Sequence, residues 1–205
     1  LSANPEVIRP IDHPFATLPA ITMLKGSLAP GFAIVKTGIA KRKVRRFSGP
    51  AICFDTTDEA MAALQNQTIK PGHVIVTRGA GVKGGPGMGG GSSRLVFAID
   101  GLGLSEQVAL ITDGHLSGLV CKGLVVAEVT PEGAESGPLA LVHDGDTITI
   151  DLDTRRCDLE VSEHELQKRS QHWQAPPPRF DSGWLQVYRR NVGPLAQGAV
   201  LVQPQ

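Results

Sequence analysis

Seven of the fourteen residues from Gly81 to Arg94 are glycine. The stretch reads Gly-Val-Lys-Gly-Gly-Pro-Gly-Met-Gly-Gly-Gly-Ser-Ser-Arg. It follows a β-type apolar run, Val74-Ile75-Val76-Thr77, and precedes a helical apolar pattern at Leu95, Val96, Ala98 and Ile99. Strand, glycine loop and helix start together present bare backbone N–H groups to an anion. Glycine lets the backbone approach closely, and the helix N-terminus adds partial positive charge. The chemistry this suits is holding a carboxylate or a phosphate, with Gly85 and Gly87 in the loop and Ser92 and Ser93 at the expected helix start. A surface loop with no ligand has the same composition, and that reading stays open.

A second cluster follows the apolar run Val108–Thr112. Asp113-Gly114-His115-Leu116-Ser117-Gly118 is a turn with two glycines, one imidazole and one hydroxyl. His115 reads equally as a substrate contact or as a neutral turn residue. Ser117 by itself reads as a turn residue. Of the two serines at the helix start, Ser93 is assigned to a substrate carboxylate and Ser92 to the helix cap, because one hydroxyl rarely does both.

The rest of the composition sets limits. Lys+Arg and Asp+Glu each total 20, so the chain is neutral at pH 7. That argues against nucleic acid and membrane surfaces as partners, which call for a basic excess. No apolar run reaches the length of a membrane span, and no signal peptide is visible at the start. Cys53, Cys121 and Cys157 are odd in number and far apart, with no Cys-x-x-Cys pair. They read as core residues, not as metal ligands or a disulfide framework, and a reducing cytoplasmic setting fits them. No metal ligand is assigned. The basic cluster Lys41–Arg46 reads as a solvated loop.

These groups need a scaffold. With aromatics at 4% of 205 residues, the core must be aliphatic. Strands are expected at 33–37, 51–54, 74–78, 108–112, 123–129, 139–142, 147–152 and 157–161. Thr56 and Glu59 form a capping box before the helical pattern Ala60, Met61, Leu64, and Ser162 with Glu165 repeats that signature for a helix to about Trp173. Thr130-Pro131-Glu132 reads as a short helical turn with Pro at its first position. A last helix is expected at Trp184–Asn191 after the break at Pro176-Pro177-Pro178. Short aliphatic strands with interspersed helices predict a β-rich α/β barrel or sandwich. Residues 1–22 are expected to be an extended segment lying on something else, 23–173 the barrel, and 174–205 a tail with one helix. The opening at Leu1 and the Pro-rich start suggest a piece of a longer polypeptide.

Several phrases occur in one order: Lys83-Gly84-Gly85-Pro86-Gly87-Met88, Ala109-Leu110-Ile111-Thr112-Asp113-Gly114 with Ser117-Gly118, Thr130-Pro131-Glu132, Gly137-Pro138-Leu139-Ala140 and Asp144-Gly145-Asp146. With Leu24-Lys25-Gly26-Ser27-Leu28-Ala29-Pro30 they closely resemble the dihydroxy-acid and phosphogluconate dehydratase family, which includes sugar-acid dehydratases. The resemblance covers nearly the whole chain and falls on the family's C-terminal portion, a swivelling β/β/α barrel. It implies a longer enzyme whose N-terminal domain carries an iron–sulfur cluster and Mg²⁺, with the active site between the domains and a dimeric or tetrameric assembly. The implied reaction removes water from a 2,3-dihydroxy acid to give a 2-keto acid. A base takes the C2 proton, iron acts on the C3 hydroxyl, and Mg²⁺ holds the carboxylate. Ser117 aligns with the family serine thought to be that base, and His115 stands where the family often has Arg.

The chain also departs from the family. Gly89-Gly90-Gly91 stands where a Mg²⁺-binding glutamate is usual, and Ala80 and Val82 replace a glutamate and a proline. These departures keep two alternatives open beside the dihydroxy-acid reading: a sugar-acid dehydratase, and a carboxylate-binding barrel that has lost catalysis.

Overall fold

The computed structural model describes residues 4–16, 19–37, 44–85, 90–117 and 122–202. Its eight strands are β1 (Ile21–Leu24), β2 (Phe32–Lys36), β3 (Arg46–Phe54), β4 (Val74–Thr77), β5 (Ala109–Thr112), β6 (Leu124–Thr130), β7 (Thr147–Asp151) and β8 (Arg156–Leu159). They form one mixed sheet in the order β1-β2-β6-β5-β4-β3-β7-β8. The edges nearly meet. Lys25, just after β1, bridges to Arg156 of β8, and the Cys157 N–H donates to the Lys25 carbonyl at 3.0 Å. The result is an almost closed barrel, as expected from the many short aliphatic strands.

β3 is the joint of the barrel. Its first half pairs antiparallel with β7 and its second half parallel with β4. The parallel run β3-β4-β5-β6 is connected through two helices, α1 (Thr57–Gln65) and α2 (Gly90–Gly101). Strand periodicity sorts the side chains between two cores. Val74, Val76, Ala109, Ile111, Leu124 and Val126 point into the barrel with Leu24, Val35, Ile148 and Cys157. Ile75, Leu110 and Val125 point outward against Ala60, Leu64, Leu95, Val96 and Ile99 of α1 and α2. Strands buried on both faces read as continuous apolar runs, as these do.

α1 starts on the complete capping box at Thr56 and Glu59. Thr56→Ala removes the hydroxyl that accepts the Glu59 N–H and is expected to cost about 1 kcal/mol, measurable by urea unfolding. The second box is half formed. Ser162 accepts the Glu165 N–H at 3.2 Å, but the Glu165 carboxylate bonds Arg169 instead. That helix, α3 (Glu163–His172), buries no residue of its own. It is tied to the barrel by Arg169, which donates to the Leu141 carbonyl and to Asp146.

Several expectations are corrected. The barrel begins at β1, inside the segment read as extended. β3 begins at Arg46, so the described end of the basic cluster belongs to the strand and its flank, with Arg45 and Arg46 paired to Asp151 and Asp153. Residues 139–142 are not a strand. Pro138–Leu141 is a 3-10 helix with Pro138 in its first turn, and a short apolar run does not separate the two by periodicity. Pro131 does not open a helix. Its peptide bond with Thr130 is cis, and the 3-10 helix Gly133–Glu135 starts after an extended Glu132. The final helix, α4 (Gly183–Asn191), lies where expected, with Trp184 72% exposed. No described helix is long and apolar enough to cross a membrane.

Candidate functional site

The polar groups gather where β4, β5 and β6 end, at the carboxyl edge of the parallel strands. That is the usual place for a site in such a sheet. β4 runs into the glycine loop, β5 into Asp113–Ser117, and β6 into Glu132.

In its described part, the glycine loop holds anions of its own. Asp113, fully buried, accepts N–H bonds from Gly79 at 3.0 Å, Ala80 at 2.8 Å and Gly133 at 2.9 Å. Glu132, also buried, accepts from Lys83 at 3.0 Å and Gly84 at 3.0 Å. A Cβ on Gly81 would stand 2.3 Å from the Glu132 carboxylate, so only glycine fits there. The Gly85 N–H is turned inward, onto the Gly81 carbonyl at 2.9 Å. The carboxylates that the described part of the loop holds are internal, from residues 33 to 49 positions away in sequence. Neither Asp113 nor Glu132 was marked in the sequence, where one sits in a turn and the other follows a proline. Gly87, Gly118 and Cys121 lie outside the described residues.

Burial pushes the Glu132 carboxyl up to about 7. The Gly84 and Lys83 N–H groups oppose the rise, and the nearby Asp113 and Glu135 charges add to it. An unfolded Glu titrates near 4.5, so between these two pH values the folded chain binds more protons than the unfolded one. Stability from this group is full below about 4.5 and falls as pH rises to about 7, by about 3 kcal/mol. Denaturant titrations across that window should show the fall, and Glu132→Gln should flatten it.

The loop that ends in Ser117 is held from three sides. The Lys36 ammonium, at the end of β2, donates to the Leu116 carbonyl at 2.5 Å and to the Ser117 carbonyl at 3.0 Å. The Ser117 N–H donates to the Ser93 hydroxyl at 3.4 Å. His115 Nδ1 lies 3.1 Å from the Glu128 carboxylate. That contact raises the His115 pKa, against the opposing effects of burial and Lys36. Ser117 itself is exposed. So the structure brings Ser93, His115 and Ser117 together, and adds Lys36 and Glu128, which the sequence did not mark.

Ser92 is not a cap. α2 begins two residues earlier, at Gly90, and Ser92 lies inside it with its hydroxyl buried and, among the described residues, without a hydrogen-bond partner. The low helix propensity of glycine hid this start. Gly91 packs on α1, where a Cβ would come 2.8 Å from the Thr57 hydroxyl. That contact leaves no room for a larger side chain unless Thr57 moves. A separate cleft of about 380 Å³ lies between Gly79, Gly84, Gly133 and the segment Trp173–Arg179, and Gly85, Ser92, Ser93, His115 and Ser117 do not line it.

No group of three or more His, Cys, Asp or Glu side chains among the described residues could hold a metal ion. The Cys53 and Cys157 thiols are pushed up to about 12 by burial, the reverse of what a thiolate ligand needs.

Fold and site together define a β-rich α/β barrel domain with a cluster of polar side chains on the loops after the parallel strands. The family model described as Dihydroxy-acid/6-phosphogluconate dehydratase C-terminal matches residues 6–199. Similar curated proteins are the dihydroxy-acid dehydratases of Moorella thermoacetica, 44% identical over 96% of this chain and 35% of the relative, and of Sulfurisphaera tokodaii, 45% identical over 96% and 34%. That of Anaeromyxobacter sp. strain K is 44% identical over 98% and 35%. The chain belongs to the dihydroxy-acid/6-phosphogluconate dehydratase family and corresponds to its C-terminal domain. It spans about a third of the length of these relatives.

Proposed function

We propose that this chain is the proton-transferring half of a dehydratase that converts a 2,3-dihydroxy acid to a 2-keto acid in branched-chain amino-acid biosynthesis. The observation that carries the reading is the restrained Ser117 loop, with its amide on Ser93 and its carbonyls on Lys36, in a chain of this family. Ser117, as alkoxide, takes the C2 proton. The C2–H electron pair forms the C2=C3 bond as the C3–O bond breaks and hydroxide leaves. Ser117 then returns its proton to C3 while the enol O–H gives up its proton, which combines with the hydroxide as water, and the ketone is left. Ser93 and His115, beside Ser117, face the substrate's carboxylate and hydroxyls; Ser92, with its hydroxyl buried, and Gly85, with its N–H turned onto Gly81, do not.

An exposed serine hydroxyl is too weak a base for this step. It needs a dry, positively charged setting. Lys36 supplies part of the charge, and contact with the rest of the polypeptide supplies the dryness. The iron–sulfur cluster and Mg²⁺ implied by the family do not fit the described residues, whose buried carboxylates are spent on backbone N–H groups and whose described cysteines are protonated. We place both groups in an N-terminal domain, outside this chain. Homodimeric assembly and a cytoplasmic setting belong to the same reading.

The departure at Gly89-Gly90-Gly91 favours one second reading, a sugar-acid substrate. The test is to assay the full-length polypeptide with a branched 2,3-dihydroxy acid and with five- and six-carbon aldonates, following keto-acid release. Higher kcat/KM on the branched acid supports the first reading. An aldonate preferred by about tenfold or more, a gap of about 1.4 kcal/mol, transfers the site to the second. No keto acid from any of them leaves a carboxylate-binding barrel.

A further inference from the structure

The pairing of β2 with β6 slips by one residue. Phe32 faces Thr130, but Ile34 faces Ala127, so two steps on β2 oppose three on β6. The slip is a β-bulge, and Glu128 lies in it with a φ of +54°. Glutamate rarely adopts that left-handed conformation, where glycine or asparagine is the low-strain choice. Bulges beside functional sites re-aim a side chain, and strain at such a position is kept only where the surroundings enforce it.

The bulge has two visible results. The Glu128 N–H reaches the Gly114 carbonyl at 3.1 Å. The Glu128 carboxylate accepts the His115 Nδ1–H at 3.1 Å, with both side chains largely buried, 19% and 26% exposed. One residue therefore grips the start of the Ser117 loop by backbone and by side chain, while Lys36 grips its end. With Nδ1–H committed to Glu128, the ring's orientation is set and Nε2 is the nitrogen left for another partner.

We propose that Glu128 is a positioning residue: the bulge in β6 turns its carboxylate onto His115, and the pair presents His115 as a cationic donor to an anionic oxygen of the substrate beside Ser117. The proposal rests on the reading of the Ser117 loop as the proton-transfer site. The charged groups that act on His115 are Glu128 and Glu132, which favour its proton, and Lys36, which opposes it. Glu128 outweighs Lys36, so the cation persists to higher pH than in an ordinary histidine and is lost as pH rises through the raised value.

Glu128→Gly separates a structural role from a functional one. Glycine relieves the left-handed backbone while removing the carboxylate. In the full-length polypeptide, the expected result is a thermal midpoint unchanged or raised, with kcat/KM about tenfold lower, mostly through KM. The alkaline fall in kcat/KM should move to lower pH, because the carboxylate that raises the His115 pKa is gone. Glu128→Gln should repeat the kinetic changes without the relief, and His115→Arg, whose charge does not titrate, should abolish the alkaline fall. Unchanged kinetics and pH profile in both Glu128 variants overturn the proposal. So does a loss of activity that only follows a loss of stability in both. Ser117→Ala run alongside separates the two ideas. If it is inactive while the Glu128 variants match wild type, only the positioning role fails. If it is fully active, the reading of the loop itself fails.

Discussion

Replacing Ser117 by alanine in the full-length polypeptide is expected to lower keto-acid formation roughly 10²–10⁴-fold, the range for losing a positioned general base. Folding stability should stay within about 0.5 kcal/mol, because Ser117 is exposed and exposed substitutions of this kind are nearly neutral. The substitution leaves two backbone restraints on the loop in place. The backbone N–H still meets Ser93, and the backbone carbonyl still meets Lys36. What goes is the hydroxyl alone. Equilibrium substrate binding should change little, so the loss falls on kcat. A variant that keeps more than about a tenth of wild-type kcat would remove Ser117 from the proton-transfer step, since each tenfold is only about 1.4 kcal/mol of barrier.

Asp113→Ala is the change expected to cost the most stability, about 3–5 kcal/mol. It leaves three backbone donors, from Gly79, Ala80 and Gly133, without their acceptor. Each unsatisfied buried donor costs about 1–3 kcal/mol, with partial relief where water enters. The damage is not local. Asp113 sits at the end of β5 and joins the start of the glycine loop to the 3-10 helix after β6, so its loss frees both loops at once. Asp113→Asn keeps one oxygen but turns an NH₂ toward N–H donors, and about 2 kcal/mol should be lost. Urea unfolding of each variant gives these values. A cost below about 1 kcal/mol for the alanine variant would mean that the three N–H groups find other partners.

The scaffold was legible in the sequence wherever chemistry is local. Apolar runs such as Val74–Thr77 and Ala109–Thr112 named the buried strands. Thr56 and Glu59 named a helix start, and the glycine loop named a place where backbone N–H groups meet carboxylates. What could not be read depends on partners distant along the chain. Nothing near Glu132 says that its carboxylate lies under Lys83 and Gly84, 49 and 48 residues away. Nothing near Lys36 points to Leu116 and Ser117, 80 and 81 residues on. Glu128 sits in an apolar strand pattern, and the one-residue slip that turns it toward His115 is set by β2, not by its own neighbours. Pro138–Leu141 failed for a different reason, since four apolar residues suit a strand and a 3-10 helix equally. Ser92 was misplaced because glycines are poor helix formers until a packed neighbour, here Thr57 of α1, holds them in place.

The central claim is that this chain supplies one half of a divided active site. The most direct measurement compares keto-acid release from a 2,3-dihydroxy acid by the 205-residue chain alone and by the full-length polypeptide, with iron quantified in both. The expected result is turnover and bound iron in the full-length protein, and neither in the isolated chain even though it is folded. Keto-acid formation by the isolated chain at a comparable rate would contradict the account, because the described residues would then have to complete the reaction by themselves.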